Sequence, residues 1–201
     1  GAKRAITTIA PANDIRPYHE NFEFHRRRLA EIGELLAPAG IRLGVEFVAP
    51  AAARKNQAFQ FIHTLDAVVM LVSMVRAPNV GAVVDTWQIH AAGSRIEDLR
   101  KLGPERIVAA YLSDAPADIE PTSLADIDRL LPGETGKIDN AAALTLLAEL
   151  GFDGPVSPRA DRHRLGGMRR EQIVKLAGER VDQAWKAAGL TPAGKLQPAK
   201  K

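Results

Sequence analysis

Ile41-Arg42-Leu43-Gly44-Val45-Glu46 and, further on, Val80-Gly81-Ala82-Val83-Val84-Asp85 are the stretches on which the fold turns. Side chains alternate faces along a strand, so in the first stretch the apolar parity can face covering helices while Gly44 and Glu46 point the other way. The glycine makes room inside, and the carboxylate arrives at the strand's C-terminal end. Asp85 closes the second stretch in the same manner. Carboxylates ending two successive strands suit a barrel whose active site is assembled from the C-terminal ends of its strands.

Outward from these two runs, short β-branched segments alternate with longer helical ones, the pattern of βα units around a parallel sheet. Strands are expected at Ala5 to Ile9, Ile41 to Val48, Val80 to Asp85, Arg106 to Leu112 and Pro155 to Ser157. Helices are expected at Tyr18 to Ala37, Asn56 to Val75, Ile96 to Leu102, Asn140 to Leu150 and Arg169 to Ala188. Glycine or proline follows most of the helices, as in Pro38-Ala39-Gly40 and Gly103-Pro104, where a helix stops before a strand. An open doubly wound sheet would share this alternation, and the inward carboxylates favour a closed barrel. No GxGxxG or GxxxxGKS turn follows any strand, which argues against nucleotide binding. Residues 1–190 read as one domain, and 191–201, rich in Pro, Ala, Gly and Lys, as a disordered tail.

Composition narrows the chemistry. Of the 201 residues, 46% are hydrophobic and 25% charged, as in ordinary globular proteins, so disorder is not the main state. With no cysteine there is no disulfide, thiolate metal site or thiol nucleophile, and any metal must take oxygen and imidazole ligands. No apolar run approaches the ~20 residues that span a bilayer. A cytoplasmic protein without membrane contact is expected, with homo-oligomerisation left open. The net charge of +3 is dispersed. Its densest cluster, His25-Arg26-Arg27-Arg28, lies on an amphipathic helical pattern and reads as a solvated face rather than a nucleic-acid patch.

At several ordered segments the sequence resembles the xylose isomerase-like TIM barrel superfamily of sugar phosphate isomerases and epimerases. The matching pieces are Leu43-Gly44-Val45-Glu46-Phe47-Val48-Ala49-Pro50, Phe61-Ile62-His63-Thr64 and Asp85-Thr86-Trp87-Gln88-Ile89-His90. Leu112-Ser113-Asp114-Ala115-Pro116, Leu131 to Asp139 and Gly151-Phe152-Asp153-Gly154-Pro155-Val156 continue the series. The resemblance implies a (β/α)8 barrel, with Ala5 to Ile9 taking the third strand's place and the first strands lacking. It also implies a divalent metal at the mouth, Mg or Mn by ligand type, assisting proton transfer beside the carbonyl of a sugar or sugar phosphate.

In that comparison Glu46 is ligand or base and Asp85 a ligand, while Gln88, His90, Asp114, Arg129 and Arg159 are candidates to contact substrate. Three positions depart from the family's pattern, one of them Gln88, which stands where a substrate-contacting histidine is common. Arg159 stands where a glutamate is usual, and Tyr111 where histidine is frequent. Arg159 has two readings: it bridges Glu46 and Asp85 and replaces the metal, or it meets a substrate phosphate or carboxylate while Asp161 supplies a ligand. Two-base epimerisation loses one of its glutamates, leaving a one-base isomerisation or no turnover. The expected function is therefore a metal-dependent sugar isomerase or epimerase, with a non-catalytic carbohydrate-binding or assembly subunit as the alternative. Endonuclease-type chemistry would call for a richer set of histidine and carboxylate ligands.

Overall fold

The computed structural model describes residues 1–197. In chain order the strands are β1 (Arg4–Thr8), β2 (Ala12–Asn13), β3 (Arg42–Glu46), β4 (Phe59–Gln60), β5 (Val80–Asp85), β6 (Ile107–Leu112) and β7 (Val156–Pro158). The α-helices are α1 (Tyr18–Leu36), α2 (Leu65–Met74), α3 (Thr86–Ala91), α4 (Asn140–Glu149) and α5 (Arg170–Ala187). Five strands form one wholly parallel sheet in the order β1-β3-β5-β6-β7, with helical connections between successive members. This is an incomplete (β/α) barrel, with β1 and β7 as its two outer strands.

Burial follows the parity read from the sequence. Leu43 and Val45 face the helical layer and join a core with Leu65, Val68, Leu71 and Val72 of α2. Each such side chain contributes about 1.5–3 kcal/mol on burial. Gly44 faces inward: a Cβ there would lie 2.7 Å from Val83 Cγ2 and 3.1 Å from Val108 Cβ. Glycine at this position lets β5 and β6 fill the interior with valine, and Glu46 emerges above that apolar layer. All five expected strands are present: four have an end shifted by one or two residues, and Val80–Asp85 matches at both ends.

Three expectations are corrected. Asn56–Val75 is not one helix: α2 starts only at Leu65, and within the preceding segment β4 pairs antiparallel with β2. The Ile96–Leu102 stretch is a 3-10 helix, Ile96–Lys101. Residues 191–197, expected to belong to a disordered tail, fold back on α5: Trp185 Nε1 donates to the Thr191 carbonyl at 2.8 Å, and Gln197 N to the Gly189 carbonyl at 3.0 Å. The rest of that expected tail lies outside the described residues. The arginines of the basic cluster lie on the outer side of α1, Arg26 and Arg27 paired to Glu23 and Arg28 to Glu31, whereas His25 stacks on the buried Phe61 ring at 4.9 Å. Among the described residues no helix is long and apolar enough to cross a membrane.

Candidate functional site

Parallel strands deliver their C-terminal ends to one rim, and three of these ends place the central groups. Glu46 ends β3, Asp85 ends β5 and Arg159 follows β7. Asp85 is also the N-cap of α3, where its Oδ1 accepts from Trp87 N at 3.0 Å and Gln88 N at 3.3 Å. A carboxylate in that position satisfies helix N–H groups that have no partner within the helix.

Arginine side chains neutralise both carboxylates. Arg129, carried on the long connection between β6 and α4, puts Nη1 2.8 Å from each oxygen of Asp85 and 3.1 Å from Ser113 Oγ. Its guanidinium lies over the Trp87 ring, 4.6 Å from the centroid. Arg159 Nη1 donates to Glu46 Oε1 at 2.6 Å and to Asp85 Oδ2 at 3.2 Å. Thr8 Oγ1 donates to the remaining Glu46 oxygen at 3.3 Å. Ser113 Oγ donates to the Arg159 carbonyl at 2.6 Å, and Arg159 N to the Leu112 carbonyl at 2.9 Å, so β6 fixes the backbone from which Arg159 reaches inward. The Tyr111 ring flanks the same guanidinium at 5.0 Å.

The electrostatics follow from this chain of pairs. Burial raises the Glu46 carboxyl above its usual range, and Asp85 adds to the rise while Arg159 opposes it. Burial alone would lower the Arg159 guanidinium, yet Glu46 and Asp85 outweigh it and hold the charge more firmly. In front of these groups lies a pocket of about 290 Å³ whose lining includes Thr8, Glu46, Gln88, Asp126, Arg159 and Arg162.

A divalent metal does not fit these donors. Every oxygen of Glu46 and Asp85 already accepts from a protein donor, and two of those donors are guanidinium cations. A hard cation would have to displace them and face their charge. Among the described residues no group of three or more His, Asp or Glu side chains is arranged to hold one. Asp161, the candidate replacement ligand, accepts instead from His163 N and Nδ1, both at 2.8 Å.

Of the other residues singled out in the sequence, Gln88, Arg129 and Arg159 all line the pocket. Gln88 Oε1 accepts from Ala49 N at 2.8 Å. Asp114 and His90 stand outside that lining. Asp114 is fully buried, and its carboxylate accepts backbone N–H groups of Ala115, Thr135, Gly136 and Ile138 at 2.7–3.0 Å. Burial pushes this carboxyl up, but the four N–H bonds outweigh it and bring it below the usual value. It anchors the 131–138 loop and is not in the pocket lining. His90, near the C-terminal end of α3, lines a separate cavity with Ser94, Glu97 and Lys137. Burial, with Lys137 next, pushes its imidazole down, and Nε2 is buried without a partner.

Two contributors had gone unread. Thr8 has no local motif and Ser113 sits unremarked within Leu112-Ser113-Asp114-Ala115-Pro116; both are placed by the register that sets β1 beside β3 and β6 beside β7. Thr86 and Asn140 tie the base of the site together, with Asn140 Nδ2 donating to the Ser113 carbonyl at 2.9 Å and Thr86 Oγ1 to Asn140 Oδ1 at 3.0 Å.

The family model described as xylose isomerase-like TIM barrel matches residues 1–182. The chain belongs to that family. Among curated relatives, the inosose isomerase of Bacillus licheniformis is 32% identical over 154 residues, 75% of this chain and 51% of that protein. The inosose isomerase of Bacillus subtilis is 31% identical over 152 residues, 74% of this chain and 50% of that protein. The chain thus spans about half the length of these relatives. Among xylose isomerase-like structures, a xylose isomerase domain protein from Alicyclobacillus acidocaldarius superposes with a TM-score of 0.82 at 29% identity, over 94% of this chain and 66% of that one. The IOLI protein with a bound zinc atom shares the fold at a TM-score of 0.78 and 24% identity, over 93% of this chain and 63% of that one.

Proposed function

We propose that this chain is a sugar isomerase/epimerase-like protein whose mouth binds a small sugar without a resident metal and without turnover. The inosose isomerases among its relatives support the substrate class, a polyhydroxylated carbonyl compound. The observation that carries the metal-free reading is the single Arg159 nitrogen bonded to both Glu46 and Asp85. Removing a proton beside a carbonyl needs a carboxylate with a lone pair free to accept it and a positive centre on the carbonyl oxygen. Here each Glu46 oxygen accepts one bond and keeps a second lone pair, but the positive centre that would polarise a carbonyl is spent on the carboxylates. What is left for a ligand is hydrogen bonding from the rim.

The test pairs elemental analysis with proton exchange. Wild-type protein purified from metal-supplemented medium should hold substoichiometric divalent metal, and an inosose incubated with it in D2O should gain no deuterium at the carbon beside the carbonyl. Arg159→Glu combined with Tyr111→His should raise metal content toward one per chain. Stoichiometric metal in the wild type, or enzyme-dependent deuterium incorporation, overturns the proposal.

A further inference from the structure

We infer that the mouth selects a sugar acid, a polyhydroxy ring or chain bearing one carboxylate, over both the neutral sugar and the sugar phosphate; this rests on the metal-free binding reading above. The argument is a count of unused donors and acceptors. Both oxygens of Asp85 are taken up from within, and each Glu46 oxygen already holds one internal bond, so little acceptor capacity is left for a ligand beyond the second lone pairs of Glu46. Asp161 turns its carboxylate to His163.

The donors are in the opposite condition. Arg159 makes both its ion pairs through Nη1, and its Nε and Nη2 have no protein partner among the described residues. Its side chain is still 42% exposed. Nε–H and Nη2–H point the same way along one edge of the planar guanidinium, a fork that matches the two oxygens of a carboxylate. Arg162 lines the same pocket with no hydrogen bond or ion pair to a described residue. The Gln88 amide has only its oxygen engaged, leaving the N–H2 end as a further donor at the wall. The open groups of the pocket are thus mostly donors, and the ligand they suit is rich in acceptors.

Charge decides which acceptor. The pocket is not a basic patch: Asp126, 69% exposed and 3.7 Å from Arg129 Nη2, and Asp161 flank the arginines. Arg129 and Arg159 are offset by Glu46 and Asp85. With Asp85 behind them, the carboxylates here outnumber the arginines four to three, so a ligand anion is held by the directed bonds of the fork and not by net charge; a carboxylate brings one charge against Asp126 and Asp161, a phosphate dianion two.

A matched trio tests this: D-glucose, D-glucuronate and D-glucose 6-phosphate, differing only at C6, titrated by calorimetry or ligand-observed NMR into metal-analysed wild-type protein. Glucuronate should bind tighter than either of the others by about tenfold, the scale of one added charge-assisted contact. Arg159→Lys keeps the positive charge and removes the fork, and should bring glucuronate down to the affinity of glucose. Arg162→Gln should weaken glucuronate about threefold, in line with a partly exposed ion pair, and weaken glucose by less than that. Glucose or glucose 6-phosphate binding as tightly as glucuronate overturns the inference and leaves the binding reading standing. So does a glucuronate preference that survives both substitutions. Stoichiometric metal in the same sample overturns the metal-free reading instead, and absence of binding by all three overturns both.

Discussion

The rim of this barrel buries negative charge in two places and neutralises it by different means. At Asp114 the compensation comes from four backbone N–H groups of the chain around the 131–138 loop. At Glu46 and Asp85 it comes mainly from two arginine side chains. Backbone donors cannot be mutated away, so the first arrangement is a fixed element of architecture. Side-chain donors can be exchanged one codon at a time, so the second is the part of the rim where chemistry is open to change.

The sharpest way to break this comparison is Arg129→Met. It leaves Asp85, 1% exposed, without its closest cation, and should cost about 3–5 kcal/mol, the range for an uncompensated buried charge. Urea denaturation measures it, and a loss below about 1 kcal/mol would mean that Arg159 and the helix N–H groups suffice. Asp114→Asn comes next, with an expected loss of about 2–3 kcal/mol from charge-assisted bonds. It carries a pH signature as well. Because the folded Asp114 carboxyl lies below its usual value, its contribution is present above the ordinary carboxylate range and is lost as pH falls through the folded value. The variant should therefore flatten the acid limb of the stability curve, and an unchanged limb would remove Asp114 from this role. The smallest effect is expected at His90. Replacing it with Phe removes a buried unpartnered nitrogen, so stability should shift by no more than about 1 kcal/mol in either direction. Sugar binding at the mouth should be unaffected, and a clear loss there would show that the two cavities communicate.

Much of this rim was legible in the sequence. Strand positions followed from apolar parity and glycine stops, and Glu46 and Asp85 followed from their place at strand ends. The bridge from Arg159 to both carboxylates was one of two readings open for that residue, and the geometry has it. What escaped has physical causes. The sequence presents Asp85 as a strand end and a candidate metal ligand, although an aspartate before Thr86-Trp87-Gln88 is equally an N-cap signal, and the helix it caps carries His90 to a separate cavity. Arg129 reaches Asp85 across 44 positions through a loop with no periodicity, so no local pattern could pair them. Asp114 was read as a contact for substrate hydroxyls because sequence cannot distinguish a carboxylate facing solvent from one wrapped by a loop's N–H groups. The start of α2 was misplaced because the stretch before Leu65 pairs with the distant Ala12–Asn13.

The indole beneath Arg129 gives the site an optical signature of its own. The chain has two tryptophans. Trp87 is fully buried with the guanidinium over its ring, whereas Trp185 packs in the C-terminal turn with its N–H on the Thr191 carbonyl. Intrinsic emission therefore divides between a fluorophore at the charged rim and one at the chain's end. With Trp185 replaced by Phe, the remaining signal would follow the ion-pair chain alone, and a ligand that draws on Arg129 would be visible without a label.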